Sequence, residues 1–210
     1  MHPATAQAAL PEETPAAQRI LDAARPLFAA RGFDGVSMQQ VAVAAGVSKA
    51  NVFHHFASKA TLYRAVLRRS ADEFRSLLGL LGDPQHGGLG PFARAHMRHL
   101  HANLESVGMF LRLLGESELT VQRQQAEELA AEALDSLIES LPQGQRGGHD
   151  SGAQAIALLG ANLLHLQLRH VLPRTRLGAT LRDPERFATE VARMLDPTAH
   201  QTTPEAADPC

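Results

Sequence analysis

Residues 37–59, S-M-Q-Q-V-A-V-A-A-G-V-S-K-A-N-V-F-H-H-F-A-S-K, constrain the fold more than any other part of the chain. Ser37 with Gln40 three positions on is the S-x-x-Q pattern of a capping box, so a helix should open there. Val41, Ala42 and Ala45 give that helix one apolar face, and Gly46 supplies the left-handed exit that a side chain with a Cβ disfavours. Ser48 can cap a second helix, with Val47 before the cap and Val52 inside it as a hydrophobic staple. Helix, glycine turn and capped helix make a helix-turn-helix.

On the second helix Val52, His55 and Phe56 lie at i, i+3 and i+4 and should face inward. Lys49, Ala50, Asn51, Phe53 and His54 are then left outside or at the margin. Such a face suits the major groove: Lys can donate to guanine, Asn can pair with adenine, and Ala admits close approach. The set expected at DNA is Ser37, Met38, Gln39, Ser48, Lys49, Ala50, Asn51, Phe53, His54 and, from the start of the next helix, Lys59.

Around this stretch run I-L-D-A-A, L-F-A-A-R-G-F, S-M-Q-Q-V-A, A-A-G-V-S-K, F-H-H-F and S-K-A-T-L-Y. In that order they resemble the DNA-binding domain of the TetR/AcrR (tetracycline-repressor) family over residues 19–67. The resemblance implies a transcriptional regulator that binds DNA as a dimer. Departures from the family pattern are Phe53 in place of a tyrosine, Ala60-Thr61 in place of acidic residues, and Ala50-Asn51 in place of Gly-Thr.

Charge is distributed accordingly. Residues 15–69 carry eight basic side chains (Arg19, Arg25, Arg31, Lys49, Lys59, Arg64, Arg68, Arg69) against Asp22 and Asp34, on a chain whose net charge is −2. A basic head on an acidic body fits a phosphate-facing module joined to a domain that does not touch DNA. Cys210 is the single cysteine, so no internal disulfide framework forms. No run approaches the length of a membrane span, and the N-terminus lacks the order of a secretory signal, so a cytoplasmic protein without a membrane partner is expected.

The expected fold is all-α: an N-terminal three-helix helix-turn-helix domain followed by a helical ligand-binding and dimerisation domain. Residues 1–14 read as a disordered arm, 15–69 as the DNA-binding domain, 70–196 as the regulatory helices and 197–210 as a disordered tail. Thr14-Pro15 should start the first helix, which continues past Pro26 with a bend and stops at Gly32. Ser58 should cap a helix running to Gly82-Asp83-Pro84, with a loop at 82–91. One or two helices fit 92–115. Another should run from Ser117 to Leu141, followed by a break at 142–152. An all-round apolar helix is expected at 153–172, and a last one from Asp183-Pro184.

The last two helices resemble the pair with which family members dimerise, implying Ile156, Leu159, Leu163, Leu166, Phe187, Val191 and Met194 at a homodimer interface. The resemblance also implies a small-molecule effector, and the apolar candidates Leu100, Leu104, Met109, Phe110, Leu134, Leu163 with His165 suggest a lipophilic one. Arg112 and Asn162 are candidates to anchor a polar group on it. His96 and His99 are one turn apart while His101 points elsewhere, and no C-x-x-C or H-E-x-x-H pattern is present. No metal, other cofactor or catalytic constellation is therefore expected. The reading is a ligand-responsive repressor on a pseudo-palindromic double-stranded operator; a DNA-bound adaptor that recruits a protein without sensing a small molecule is the alternative.

Overall fold

The computed structural model describes residues 14–83, 87–115, 117–141, 150–175 and 182–195. The expected N-terminal arm apart from Thr14, the C-terminal tail with Cys210, Pro84, and the break at 142–149 lie outside the described residues. Those described are helical and turn, with no strand. The helices are α1 Pro15–Arg31, α2 Met38–Ala45, α3 Lys49–His55, α4 Lys59–Arg75, α5 Gly79–Gly82, α6 Leu89–Ala102, α7 Leu104–Gly115, α8 Val121–Ser140, α9 Asp150–Leu168 and α10 Pro184–Leu195.

Two compact units result, Met1–Ala71 with Leu104–Ala130, and Asp72–Asn103 with Ala131–Cys210. The boundary expected at 69/70 is thus only part of the division, because residues 104–130 pack with the N-terminal helices.

In the first unit Thr14 Oγ1 accepts from the Ala17 N–H at 3.2 Å and Pro15 takes the first helical position, where its missing N–H is harmless. α1 runs on through Pro26 because Ile20, Ala24 and Phe28 stay buried on one stripe. The ring of Tyr63 from α4 meets Phe28 edge-on at 4.8 Å and Phe33 at 5.3 Å. Val41, Val52, Phe56, Leu62 and Leu67 fill the same core, and Met109 and Leu113 of α7 with Ala126 and Leu129 of α8 complete it. Arg112 ties α7 to the end of α1, donating to the carbonyls of Phe28 at 3.3 Å and Ala29 at 3.1 Å.

The second unit packs α6 against α9 and α10 around Phe92, Met97, Leu137, Leu141, Leu158, Ala188 and Ala192. Arg98 pairs with Glu185 at 2.9 Å, and Arg94 donates to Thr189 at 3.3 Å. Four boundaries differ from expectation. The helix expected to run from Ser58 to Gly82 stops at Arg75 and gives way to the 3-10 helix Ser76–Leu78 before α5. α6 opens at Leu89, not Phe92, since Gly90 and Pro91 occupy a first turn whose N–H groups have no intrahelical partner anyway. α8 opens at Val121 because Thr120, not Ser117, caps it, accepting from the Arg123 N–H at 3.1 Å. α9 begins at Asp150 and stops at Leu168, giving way to a turn and the short 3-10 helix Leu172–Arg174. α10 starts as expected, with Asp183 Oδ1 accepting from Glu185 N at 3.0 Å and Arg186 N at 3.1 Å.

Candidate nucleic-acid interface

The local chemistry of α2 and α3 fixes how they meet. Ser37 Oγ accepts from Gln40 N at 3.2 Å and Gln40 Oε1 accepts from Ser37 N at 2.8 Å, a reciprocal capping box. Gly46 takes φ 65°, ψ 35°, the left-handed geometry the turn requires, and its N–H reaches Val43 O at 3.2 Å. Ser48 Oγ then accepts from Asn51 N at 3.1 Å and opens α3. Val52 and Phe56 are buried in the first core, while His55 is half-buried beside Phe56. The two anchors hold the short helix with one face turned outward.

That face carries Lys49, Ala50 and His54, all exposed, and Phe53 at 43% exposure. Lys49 Nζ lies 5.9 Å from the centroid of the Phe53 ring, a cation–π contact that keeps the ammonium over the same face. Gln39, Ser37 and Ser48 are also exposed. Two expected contacts need correction. Met38 is 7% exposed and belongs to the core, because at the first position of α2 its side chain packs inward beside Val41. Asn51 is half-buried with Oδ1 enclosed, so both amide atoms cannot face a base in this rotamer.

Lys59 is half-buried, its Nζ 4.4 Å from the centroid of the Phe33 ring. Phe33 was not among the expected site residues; the signal was an aromatic in the loop before the capping box with no place in a helical stripe. Ser58 Oγ accepts from Thr61 N at 3.1 Å and meets Thr61 Oγ1 at 2.9 Å. Thr61, standing where the resemblance leads one to expect an acid, thus reinforces the cap without adding negative charge beside Lys59.

The expected effector-lining residues fall on both units: Leu104, Met109 and Phe110 on the first, Leu100, Leu134, Leu163 and His165 on the second. Met109 is fully buried and Phe110 packs on that core, so α7 uses them to hold α1. Leu104 is exposed and, with Pro26, Ala29, Gly108 and Arg112, lines an open groove of about 330 Å³. Arg112, which lines that groove, donates through one guanidinium nitrogen to the α1 carbonyls and so clamps two helices. In the second unit Leu100 and His165 are buried, and Leu134 and Leu163 half-buried.

Within the second unit α9 faces α6 with polar groups. Asn162 Nδ2 donates to Ala93 O at 3.0 Å and meets His96 Nδ1 at 3.2 Å. Burial, and secondarily His99, pushes the His96 imidazole down to about 3, so it is neutral at ordinary pH. Further along, the rings of His101 and His165 stand 6.4 Å apart, and His165 stacks on Phe187 at 4.7 Å. His101 is also held below its usual value, by burial first and then by His165 and Arg169. Among the described residues no group of three His, Cys, Asp or Glu side chains could hold a metal ion, and no helix is long and apolar enough to cross a membrane.

Of the expected dimer-interface residues, Leu166 is buried by the chain itself at 3% exposure and offers nothing to a partner. Leu159 and Phe187 pack against the second core, and Leu163 and Val191 are half-buried. Ile156 at 63% and Met194 at 76% stay exposed, and so does Leu164 at 58%. The spacing of Ile156, exposed Gly160 and Leu164, four residues apart on α9, could have identified Leu164.

Residues 20–66 match the family described as bacterial regulatory proteins, tetR family. The HTH-type transcriptional regulator RutR of Escherichia coli K12 is 49% identical over 53 residues, which cover 25% of this chain and 25% of that protein. The chain therefore spans about a quarter to two fifths of the length of the curated relatives it matches. Across almost the whole chain, the solved structure of a member of the TetR family from Streptomyces coelicolor A3 superposes with a TM-score of 0.63 at 25% identity, covering 88% of this chain and 99% of that one. The multidrug binding protein EbrR complexed with ethidium, also 25% identical, gives 0.55 with coverage of 88% and 100%.

Proposed function

We infer that this chain, which belongs to the tetR family of bacterial regulatory proteins, is a cytoplasmic repressor that binds a pseudo-palindromic operator as a homodimer and is released by a small lipophilic effector. The carrying observation is α3: Val52 and Phe56 lock the helix from beneath, leaving Lys49, Ala50, Phe53 and His54 on one open face. A cation and a small residue at the N-terminal end of a groove-sized helix combine base reading with close approach.

Two such helices are needed for a palindrome, with half-sites roughly 34–36 Å apart. Ile156, Leu164 and Met194, each more than half exposed on the single chain, supply apolar surface that a second copy would cover. EbrR, alike along most of its length, binds ethidium, which supports a small-molecule effector here. The effector acts through a difference in its affinity for two states. α4 is the element proposed to carry the difference, since its residues up to Ala71 pack in the first unit and its last turn belongs to the second.

The test is selection of bound duplexes from a random pool, followed by mobility shift of the selected site across salt concentrations. Retarded migration that weakens steeply with salt, a two-fold sequence and a dimeric mass in sedimentation are expected. A monomer that leaves duplex DNA unshifted in dilute buffer would overturn the reading. Release of the DNA by a small molecule with no other protein present separates an effector-driven repressor from an adaptor.

A further inference from the structure

We propose that Asn162 is the hydrogen-bond acceptor with which the second unit recognises an uncharged effector carrying a hydroxyl or N–H group. The inference rests on the effector-released regulator proposed above and assigns the chemistry of the effector's polar end. Asn162 is completely buried, on the face of α9 that meets α6. Its amide orientation is decided by its neighbours. Ala93 O can only accept, so the atom 3.0 Å from it must be the NH₂ group; a flipped amide would set oxygen against oxygen. The same NH₂ group donates to Nδ1 of His96, whose ring proton then sits on Nε2.

Oδ1 is consequently aimed away from both partners, and no donor among the described residues reaches it. A buried acceptor left without a donor costs about 1–3 kcal/mol, so a core that retains one has a use for it. His101, on the same α6–α9 seam, has its Nε2 enclosed and likewise without a hydrogen bond among the described residues. The walls beside His96 are apolar and flat, with the Phe92 ring stacked at 6.0 Å and Phe74 edge-on at 5.6 Å.

Charge selects further. A carboxylate has no proton to give Oδ1. A cation would approach the Arg169 guanidinium, whose charge already disfavours protonation of His101 on the same seam. What remains is an uncharged molecule with an apolar body and one donor, such as a phenol, an alcohol or an indole-type N–H.

Matched pairs differing only in that proton test the assignment on the full-length protein: phenol against anisole, indole against N-methylindole, and 1-octanol against methyl octyl ether. Affinities come from ligand-observed NMR and calorimetry. In at least one pair the donor should bind about tenfold tighter, because only it satisfies the buried oxygen. The preference should fall to parity in Asn162→Leu, and the donor should shift the Asn162 side-chain amide resonance in the unaltered protein while its methylated partner does not. Parity in every pair, with the acceptor served by water alone, overturns the proposal, as does a preference that survives Asn162→Leu. The amide resonance keeps the test decisive if the leucine variant does not fold. DNA mobility shift on the same preparation separates the two levels: retarded DNA with parity in all pairs sinks only the effector chemistry, whereas unshifted DNA sinks the regulator reading.

Discussion

Around the helix-turn-helix each cap hydroxyl finds its backbone N–H three residues away: Ser37 with Gln40, Ser48 with Asn51, Ser58 with Thr61. Asn162 instead reaches partners 66 and 69 residues away on α6. The caps are exposed, so water can replace any one of them at small cost. The α6–α9 seam is buried, so its groups are expensive to leave unpaired and expensive to charge. The first unit is therefore held in shape by many cheap local choices over an apolar core. The second places polar groups where any change of protonation or partner is felt by the whole packing.

Acid should expose this contrast most strongly. His96 is neutral in the fold with a pKa of about 3, against 6.5 for a free imidazole. A depressed native value means the unfolded chain binds the proton more readily, so the stability is fully present above pH 6.5 and is lost as pH falls toward 3. The full loss is on the order of 5 kcal/mol by the linkage relation. Denaturant melts between neutral and acid pH should show a steep acid limb that His96→Leu flattens. An unchanged limb in that variant would mean that the seam is not the acid-sensitive part.

Phe56→Ala attacks the other region. The ring is 1% exposed under α3, and its removal should lower unfolding free energy by about 3–5 kcal/mol in urea, with no new pH dependence. A much smaller loss would show that α3 is not anchored from beneath, and would weaken the case for a preset reading face.

The same local-versus-distant distinction decides what the sequence could disclose. Both caps of the helix-turn-helix, the glycine turn, Val52 and Phe56 as anchors, and the outward Lys49 and Phe53 were legible, since each follows from neighbours within four residues. Met38 was not, because its inward turn depends on the core packed around α2. The enclosure of Asn51 Oδ1 and the seat of Lys59 over Phe33 depend on side-chain packing that spacing does not encode. Residues 104–130 read as part of the regulatory body, yet Met109, Leu113 and Leu129 complete the first core, a pairing over some eighty residues that no periodicity announces.

Exposed Lys49 and half-buried Lys59 should fail differently. Lys49→Ala is expected to lose about 1–3 kcal/mol of discrimination between the selected site and single-base variants of it. Lys59→Ala should weaken all sites alike and lower the salt slope by about 1. Asn51→Ala should cost less specificity than Lys49→Ala, since its carbonyl oxygen is already turned inward. Mobility shifts on a panel of duplexes at several salt concentrations check all three, and equal losses would refute the assigned roles.

The smallest effect belongs to the caps. Ser48→Ala removes the acceptor for Asn51 N and should cost about 1 kcal/mol in urea denaturation, while Ser48→Gly should cost only a few tenths, because glycine leaves the N–H groups open to water. DNA affinity should drop by no more than the fraction of chains whose α3 start has frayed, and the base preference should stay the same. A cap loss as large as that of Phe56→Ala would mean that Ser48 supports more than the start of α3, and a changed preferred site would mean that its hydroxyl, which accepts from Asn51 N, also donates to DNA. In that case the exposed polar groups of the head would be as interdependent as those buried between α6 and α9.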